Sequence, residues 1–287
     1  MPNLSPINPQ DTQAPELRAM YMSDLPQVLA IIEEHDDDDA ESAEADYQEE
    51  GFDNQFVLEV DDAVVGVTGY REVSATDNTY WLSWTYLDES VRGRGLGKGM
   101  LAQVLQKLRD AEARKLFVKI SGYEDPDEGK IYERAMKMYQ SSGFETEVVS
   151  ESFYDEGEDQ FILGLNLQGE DADFSGDFPK VEEEKPMIRF NGLHEIADSD
   201  GAYTFDWVVQ DSFKLFGKRS FSVDDLVLGL RSVKQAGGRR VFLTFPSNLP
   251  LIHKPLQAAG FKFVGQLTDY YERGVHEFHF THDLADL

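Results

Sequence analysis

The chain has 287 residues, 41% of them hydrophobic, and carries 55 acidic against 26 basic side chains for a formal net charge of −29. This length suggests two domains or one large one, and the apolar fraction is enough to fill real cores, which excludes wholesale disorder. The negative charge disfavours nucleic acid as a partner, and the absence of cysteine excludes disulfides and thiolate chemistry. Because no apolar run could span a membrane and the start lacks the features of a secretory signal, we expect a cytoplasmic protein without membrane contact.

The N-terminal region joins an amphipathic stretch to an acidic one. Residues 25–32 are amphipathic, and residues 33–50 follow as EEHDDDDAESAEADYQEE. Like charges at this density repel one another, so we expect a frayed helix end or a mobile loop there.

The next segment has the composition of strands. Residues 56–60 and 64–68 flank Asp61 and Asp62 and predict a hairpin. Residues 81–87 form an aromatic and β-branched run, which predicts a further strand.

Helices and strands then alternate to residue 167. Helical spacing joins the apolar side chains Met100, Leu101, Val104, Leu105 and Leu108. A short strand is predicted at 116–120, and a helix over 131–141 ends at Gly143, a residue suited to a left-handed cap. A hairpin of residues 147–153 and 160–167 closes the segment, so the order predicts a mixed α/β fold.

Ten residues recur along the chain in two constant registers, which indicates a tandem duplication. Five pairs at a spacing of 123 are Gly69/Gly192, Glu72/Glu195, Tyr80/Tyr203, Trp84/Trp207 and Asp88/Asp211. Five pairs at a spacing of 117 are Gly143/Gly260, Phe144/Phe261, Tyr154/Tyr271, Gly157/Gly274 and Phe161/Phe278. Residues 169–186, rich in Gly, Pro and acids, read as a linker. We therefore expect an N-terminal domain over 1–168 and a shorter copy over 187–287.

A glycine-rich turn between a predicted strand and a predicted helix is the most informative local feature. It consists of Val91, Arg92, Gly93, Arg94, Gly95, Leu96, Gly97 and Lys98. Glycines let main-chain N–H groups approach a ligand, the helix N-terminus adds unpaired donors, and the cations favour an anion, so the turn predicts a pyrophosphate site. A Walker loop is excluded by Arg92 and Gly99, and a dinucleotide fingerprint by Lys98 and Met100. The alternative is a flexible turn with solvated cations.

These residues resemble the GCN5-related N-acetyltransferases, the GNAT family, over about residues 16–168. The family's acetyl-CoA loop, R/Q-x-x-G-x-G/A, is matched by Arg92, Gly95 and Gly97. Residues 135–144, AMKMYQSSGF, are similar to the family's A-x-x-x-Y-x-x-x-G-F segment.

The resemblance implies a mixed, mostly antiparallel sheet flanked by helices, in which the strands at 81–87 and 116–120 part to admit the pantetheine arm. It implies that main-chain groups of Tyr86 and Leu87 hold the pantetheine, with the pyrophosphate over residues 92–98. The cosubstrate implied is acetyl-CoA.

The chemistry implied is direct attack of an amine on the acetyl thioester. Tyr139 occupies the family's general-acid position, although helical spacing from Ala135 alone would favour a core tyrosine. Many relatives carry asparagine seven residues before this tyrosine, where this chain has Tyr132. No general base can be named, because Glu72, Asp88 and Glu89 read as solvated acids, and a water chain is the alternative; the histidines show no metal-ligand spacing, so no metal is expected.

For the acceptor, the acidic run 33–50 supports the hypothesis of a cationic small-molecule or peptide amine, with solubility charge as the alternative.

In the second copy, a single glycine remains in residues 211–226 and Leu256 stands in place of the tyrosine, so we expect a degenerate domain that packs against the first, completes its acceptor groove or forms a homodimer. The leading interpretation is an N-acetyltransferase. A noncatalytic acyl-CoA-binding regulatory protein and a purely structural pair of repeats are the alternatives.

Overall fold

The computed structural model describes residues 15–124, 129–169, 187–210, 222–249 and 252–287. They divide into two units: the first holds the described residues up to Ser74 together with Asn78–Val118, and the second holds Ala75–Asp77 with the described residues from Lys119 onward. Most of the linker predicted at 169–186 lies outside the described residues.

The first unit is a small sheet with helices. Its elements are β1 Leu17–Ala19, α1 Leu25–Glu33, α2 Asp37–Glu50, β2 Gln55–Val60, β3 Ala63–Glu72, β4 Thr79–Leu82, β5 Tyr86–Leu87, α3 Leu96–Asp110 and the first part of β6 Lys115–Ser121. The strand order is β1-β2-β3-β4-β6, with β5 paired to β3. All of these pairs are antiparallel except β4 with β6.

The predicted hairpin is confirmed. β2 and β3 pair from Gln55/Gly69 to Val60/Ala63, and both turn residues have a left-handed backbone, with φ of 51° at Asp61 and 63° at Asp62. Two consecutive positive φ angles match the twist of the flanking strands, and aspartate tolerates them better than most residues.

The expectation of a frayed or mobile acidic run was wrong, because α2 is a 14-residue helix. Asp36 caps it, since its carboxylate accepts from the N–H groups of Asp38 and Asp39. Aspartates in the first turn also interact favourably with the positive end of the helix dipole. The other anchor is apolar: Ala43 and Tyr47 are buried against the first unit's core. Capping and two buried side chains therefore offset the charge repulsion.

A single strand over 81–87 was also expected, and the structure divides it into β4 and β5. Tyr70 pairs with Leu82 and Val67 with Tyr86, so three steps along β3 match four steps along the facing chain. This is a β-bulge with its extra residue on the β4–β5 side.

The second unit contains the remaining elements. They are α4 Glu133–Ser141, β7 Glu145–Asp155, β8 Glu158–Asn166, β9 Met187–Glu195, β10 Ala202–Gln210, α5 Val223–Gln235, β11 Arg240–Pro246, α6 His253–Ala258, β12 Lys262–Glu272 and β13 Val275–Asp283. Their strand order is β8-β7-β12-β13-β11-β10-β9, antiparallel except for β10 with β11. The helix over 131–141 and the closing hairpin are confirmed, and Gly143 has φ +94° after α4.

The hairpins β7–β8 and β12–β13 share one hydrogen-bond pattern at a spacing of 117. In the first, the Ser152 N–H donates to Asp159 at 2.8 Å and the Ser152 hydroxyl accepts from the Gly157 N–H at 3.0 Å. In the second, the Asp269 N–H donates to His276 Nδ1 at 2.8 Å and the Asp269 carboxylate accepts from the Gly274 N–H at 2.9 Å. Ser152 and Asp269 both have positive φ, at 48° and 55°.

β12 lies beside β7, with Gly265 paired to Val148. The Thr268 N–H donates to the Glu147 carboxylate, and the Arg239 guanidinium donates to the main-chain carbonyls of Ser152 and Phe153. Phe153 and Phe242 also pack, with ring centroids 4.9 Å apart. The C-terminal segment therefore covers the β7 edge within this unit.

The fold class agrees with the sequence prediction: mixed α/β, with mostly antiparallel strands flanked by helices. Among the described residues, every helix falls short of the length and apolar character needed to cross a membrane. The same residues hold no group of three acidic or histidine side chains suited to a metal ion.

Candidate active site

The glycine turn has an open main chain. Gly93 and Gly95 have φ of +76° and +82°, and a Cβ added at Gly93, Gly95 or Gly99 would meet no atom within 4 Å. Positive φ is strained for other residues, and the empty space beside the glycines lets a ligand contact the main chain directly.

Helix α3 begins at this turn without a side-chain cap. Gly95 is the N-cap residue, and the first four N–H groups of a helix have no partner of their own within it. The first bond into the turn is Gly99 N–H to Gly95 O at 3.1 Å, so the N–H groups of Leu96, Gly97 and Lys98 precede it. Together with the helix dipole, these donors suit a phosphate.

The three cations of the turn take different positions. Arg92 faces inward: its Nε donates to Leu87 O at 2.9 Å and its Nη2 lies 3.7 Å from the Glu34 carboxylate. Arg94 is exposed and donates to Ser90 O at 3.0 Å, and Lys98 is exposed. Val91 is buried and holds the turn to the core.

The bulge between β4 and β5 is fixed by a group of small polar side chains. The Ser83 N–H still donates to Gly69 O at 2.9 Å, so the extra residue falls at Trp84 or Thr85. The Gln55 amide, 1% exposed, donates to Ser83 Oγ at 3.1 Å. Thr68 and Thr85 share a hydrogen bond of 2.9 Å, which ties β3 to the bulge.

Gly69 is required at this point. A Cβ on Gly69 would clash with Gln55 Oε1 and would lie 2.7 Å from Asn54 O, which is a main-chain atom that cannot swing aside.

The bulge separates β5 from β6. The parallel pairing of β4 and β6 covers Thr79/Lys115 to Trp81/Phe117, whereas β5 pairs only with β3 in the described sheet. This agrees with the expected parting of the strands. The bond from Asp88 N–H to Val65 O marks that pair as the hydrogen-bonded one, so in the alternating antiparallel pattern Leu87 directs its N–H and C=O away from β3.

Two side chains donate hydrogen bonds to the main-chain carbonyl oxygen of Leu87. Arg92 Nε is one donor, and His35 Nε2, at 3.3 Å, is the other. A carbonyl oxygen has two lone pairs, so both are used. The Leu87 N–H remains as the main-chain group of this residue that can meet a ligand.

Two acids of α2 hydrogen-bond to aromatic side chains at the bulge and at β5. The Trp84 indole donates to Asp46 at 3.0 Å, and the Tyr86 hydroxyl donates to Asp39. The Trp84 and Tyr86 rings stack with centroids 6.4 Å apart. Aromatic faces and carboxylates therefore lie side by side around β5.

Tyr139 lies in the second unit, on α4. It is 4% exposed and packs edge-on against Phe144, with centroids 5.4 Å apart. Its main-chain carbonyl accepts from the N–H groups of Ser142 and Phe144, and Leu256 accepts from Phe261 in the same way after α6. Tyr132 is the N-cap residue of α4 but makes no side-chain cap bond.

The acids considered as bases are engaged or exposed elsewhere. Asp88 caps a short turn by accepting from the Ser90 N–H at 2.9 Å, and Glu72 and Glu89 are exposed. Sequence reasoning missed Gln55 and His35, because neither residue type carries a motif and both act through contacts with strands distant in sequence.

Comparison with known proteins finds one family that the N-terminal part of the chain matches. Residues 14–144 match the sequence profile of the family described as Acetyltransferase (GNAT) family. No curated protein matches the chain.

Several solved structures are similar to it. One from Desulfovibrio desulfuricans, described as a GNAT-family acetyltransferase, is 25% identical, covering 53% of this chain and 98% of its own, with a TM-score of 0.46. The ribosomal-protein-alanine N-acetyltransferase of Brucella melitensis is 20% identical, covering 53% and 99%, with a TM-score of 0.41. The acetyltransferase yncA of Salmonella typhimurium, solved with acetyl-CoA, is 17% identical, covering 57% and 99%, with a TM-score of 0.43.

Proposed function

We propose, from the match of residues 14–144 to the GNAT acetyltransferase family, that the protein is an acetyl-CoA-dependent N-acetyltransferase that moves an acetyl group to a primary amine by direct attack. The observation that carries the proposal is the turn from Val91 to Lys98, where open glycines and uncapped N–H groups stand at the start of α3. The residues present fit a pyrophosphate, because they offer main-chain donors, a helix N-terminus and exposed cations at one place.

In this proposal Gly93, Gly95, Leu96, Gly97 and Lys98 hold the pyrophosphate. Arg94 adds charge at the edge of the turn, while Arg92 braces Leu87 and Val91 anchors the turn to the core. When bound, the cosubstrate supplies a thioester whose acetyl carbon is open to attack.

The strand after the bulge would orient that thioester. The Leu87 N–H points away from β3, so it can donate to an acceptor on the cosubstrate. The main chain of Tyr86 stays in the β3 pairing, so this residue contributes through the position of the strand.

We propose Tyr139 as the general acid that protonates the departing thiolate. The support is the similarity of residues 135–144 to the family segment, and a phenol carries its proton at neutral pH and can donate it. No metal takes part in the proposed reaction.

For the acceptor we propose a cationic amine. Asp39 and Asp46 hold Tyr86 and Trp84 around β5, and an ammonium group is attracted both by carboxylates and by aromatic faces. The solubility explanation gives no role to these two hydrogen bonds between acids and aromatic side chains.

We also propose that residues 187–287 are a degenerate second copy joined by a linker at 169–186. The support is the shared hairpin pattern and the shared registers: β4 and β6 pair through Tyr80/Leu116, and β10 and β11 through Tyr203/Val241. The counterpart of the glycine turn, residues 211–221, lies outside the described residues.

The test is calorimetric titration with CoA, followed by assay of thiol release from acetyl-CoA with a panel of amines. Binding with release supports the transferase. Binding without release to any amine would favour the noncatalytic acyl-CoA-binding alternative, for which Tyr132 is the sequence argument. Absence of CoA binding would contradict both.

A further inference from the structure

We propose that His35 is the general base of the acetyl transfer, accepting the proton of a cationic amine at Nδ1. This inference rests on the proposed function and assigns the base that sequence analysis left open.

The position of His35 places it at the reacting strand. It lies between the end of α1 and the N-cap of α2, where its N–H donates to Ile32 O at 2.8 Å. Its ring packs edge-on against Tyr86 with centroids 4.9 Å apart, and its Nε2 reaches Leu87 O at 3.3 Å. These are the two residues of β5.

The contact with Leu87 fixes the tautomer of the neutral ring. A carbonyl oxygen can only accept, so Nε2 must carry the hydrogen and Nδ1 keeps its lone pair. Within residues 15–124, Nδ1 has no hydrogen-bond partner. The polar atoms that lack a partner and are also buried do not include it, so Nδ1 is accessible. The lone pair is therefore open to solvent beside β5.

The surroundings keep the ring neutral. Burial lowers the pKa of His35, the Arg92 charge lowers it further, and these effects outweigh the Leu87 bond and two acids. The titratable and charged groups that face the ring are Tyr86, Arg92, Glu34 and Glu89. Arg92 therefore has two effects: it donates a hydrogen bond to Leu87 O, and its charge disfavours the protonated form of His35.

The proton balance needs one base and one acid. An ammonium acceptor has no lone pair until it gives one proton to His35 Nδ1, which passes it to solvent. The amine nitrogen then bonds to the acetyl carbon while the carbon–sulfur bond breaks, and the second proton lost from nitrogen is balanced by the proton that the CoA sulfur gains. The products are the amide, CoA thiol and one released proton.

The test uses the full chain with His35→Gln, because the glutamine amide can still donate to Leu87 O but cannot take the proton. With spermidine, kanamycin and a lysine-terminated peptide as acceptors, we expect kcat/KM at pH 7 to fall about 100-fold. The wild-type profile should be flat between the lowered pKa of His35 and that of the acceptor. For the variant, kcat/KM should instead rise about tenfold per pH unit below the pKa of the acceptor, because only the free amine reacts.

His194→Gln is the matched control, since this exposed histidine of the C-terminal segment should leave the profile unchanged. CoA affinity should stay within about twofold of wild type in both variants. A His35→Gln profile parallel to that of the wild type, or an equal loss of CoA affinity, would overturn the assignment.

A second readout needs no acceptor. Nitrogen NMR of the imidazoles, with the His35 signal identified by its loss in His35→Gln, should show a neutral ring protonated at Nε2 at pH 7. A charged ring or the Nδ1–H tautomer would refute the base role even if acetyl transfer occurs. Failure of the wild type to bind CoA would instead refute the proposed function, and the His35 role with it.

Discussion

Strands β3 and β4–β5 near the N-terminus and strands β9 and β10 near the C-terminus form similar antiparallel pairs, which differ in the strand that carries an extra residue. In the N-terminal half, Gly69 faces Ser83 and the extra residue lies on the β4–β5 side; in the C-terminal half, Gly192 faces Asp206. There, one step from Asp206 to Trp207 matches two steps along β9, so the extra residue lies on β9 and β10 runs unbroken for nine residues. The sheet pattern is thus retained while the break that frees Leu87 is absent.

Under the proposed function, fold and site depend on separate features. The hairpins, the parallel pair and the glycines after α4 and α6 maintain the sheet in both halves. The bulge beside Leu87, the glycine turn and the tyrosine of α4 lie in the first half among the described residues, and they carry the proposed chemistry.

The glycine turn offers the strongest test of that contrast. Gly95→Val should weaken CoA binding more than 100-fold in a calorimetric titration, because a β-branched residue disfavours φ +82° and fills the approach to the main chain. Gly237→Val is the matched control, with φ +92° and equally open space after α5. Both should lose about 1–2 kcal/mol of stability, but a CoA defect in the control would contradict the proposed loop.

The tyrosine of α4 comes next. Tyr139→Phe should lower kcat about 100-fold with little change in CoA affinity, because it removes the proposed proton donor while keeping the ring that packs on Phe144. Tyr47→Phe removes a buried hydroxyl that has no hydrogen-bond partner among the described residues, and it should leave kcat unchanged. Wild-type turnover by Tyr139→Phe would place this residue in the core and not in the reaction.

The paired glycines of β3 and β9 sharpen the contrast in stability. Gly69→Ala should cost about 1–3 kcal/mol in denaturant unfolding, because its Cβ would meet Gln55 and the Asn54 carbonyl. Gly192→Ala should stay within about 0.5 kcal/mol, since the nearest atom is a carboxylate oxygen of Asp206 at 3.2 Å that can turn away. Equal losses would mean that the bulge imposes no special packing.

The smallest effect concerns the acceptor. Asp46→Asn keeps an acceptor for the Trp84 indole but removes one charge, so kcat/KM for cationic amines should fall two- to fivefold at low salt, by about 1 kcal/mol or less. Asp224→Asn, an exposed acid of α5, should have no such effect. A loss that is equal for neutral and cationic amines would reject electrostatic attraction.

Sequence reasoning predicted most elements because their signals are local. The Asp61–Asp62 turn, the stripe of α3 and Gly143 each act within a few residues, and each is where the pattern placed it. The acidic helix α2 was missed because its support is a cap at Asp36 and the burial of Tyr47, which outweigh a charge pattern that reads as repulsive.

The site divides in the same way. The glycine turn is contiguous and could be recognised from its spacing, whereas the bulge depends on a register between strands. Gln55, Thr68 and His35 reach it from elements 17 to 52 residues away. Contacts at that separation leave no periodic trace in a single sequence.

The pairing of β12 with β7 also limits how copies of this molecule can associate. A strand at the exposed edge of a sheet offers unpaired main-chain donors and acceptors to another polypeptide, and subunits can associate by pairing such edges. Here β12 of the same chain already pairs with that edge of β7, and the Arg239 guanidinium donates to the carbonyls of Ser152 and Phe153. Two molecules could not form a continuous sheet through β7 unless β12 of one molecule first separated from β7.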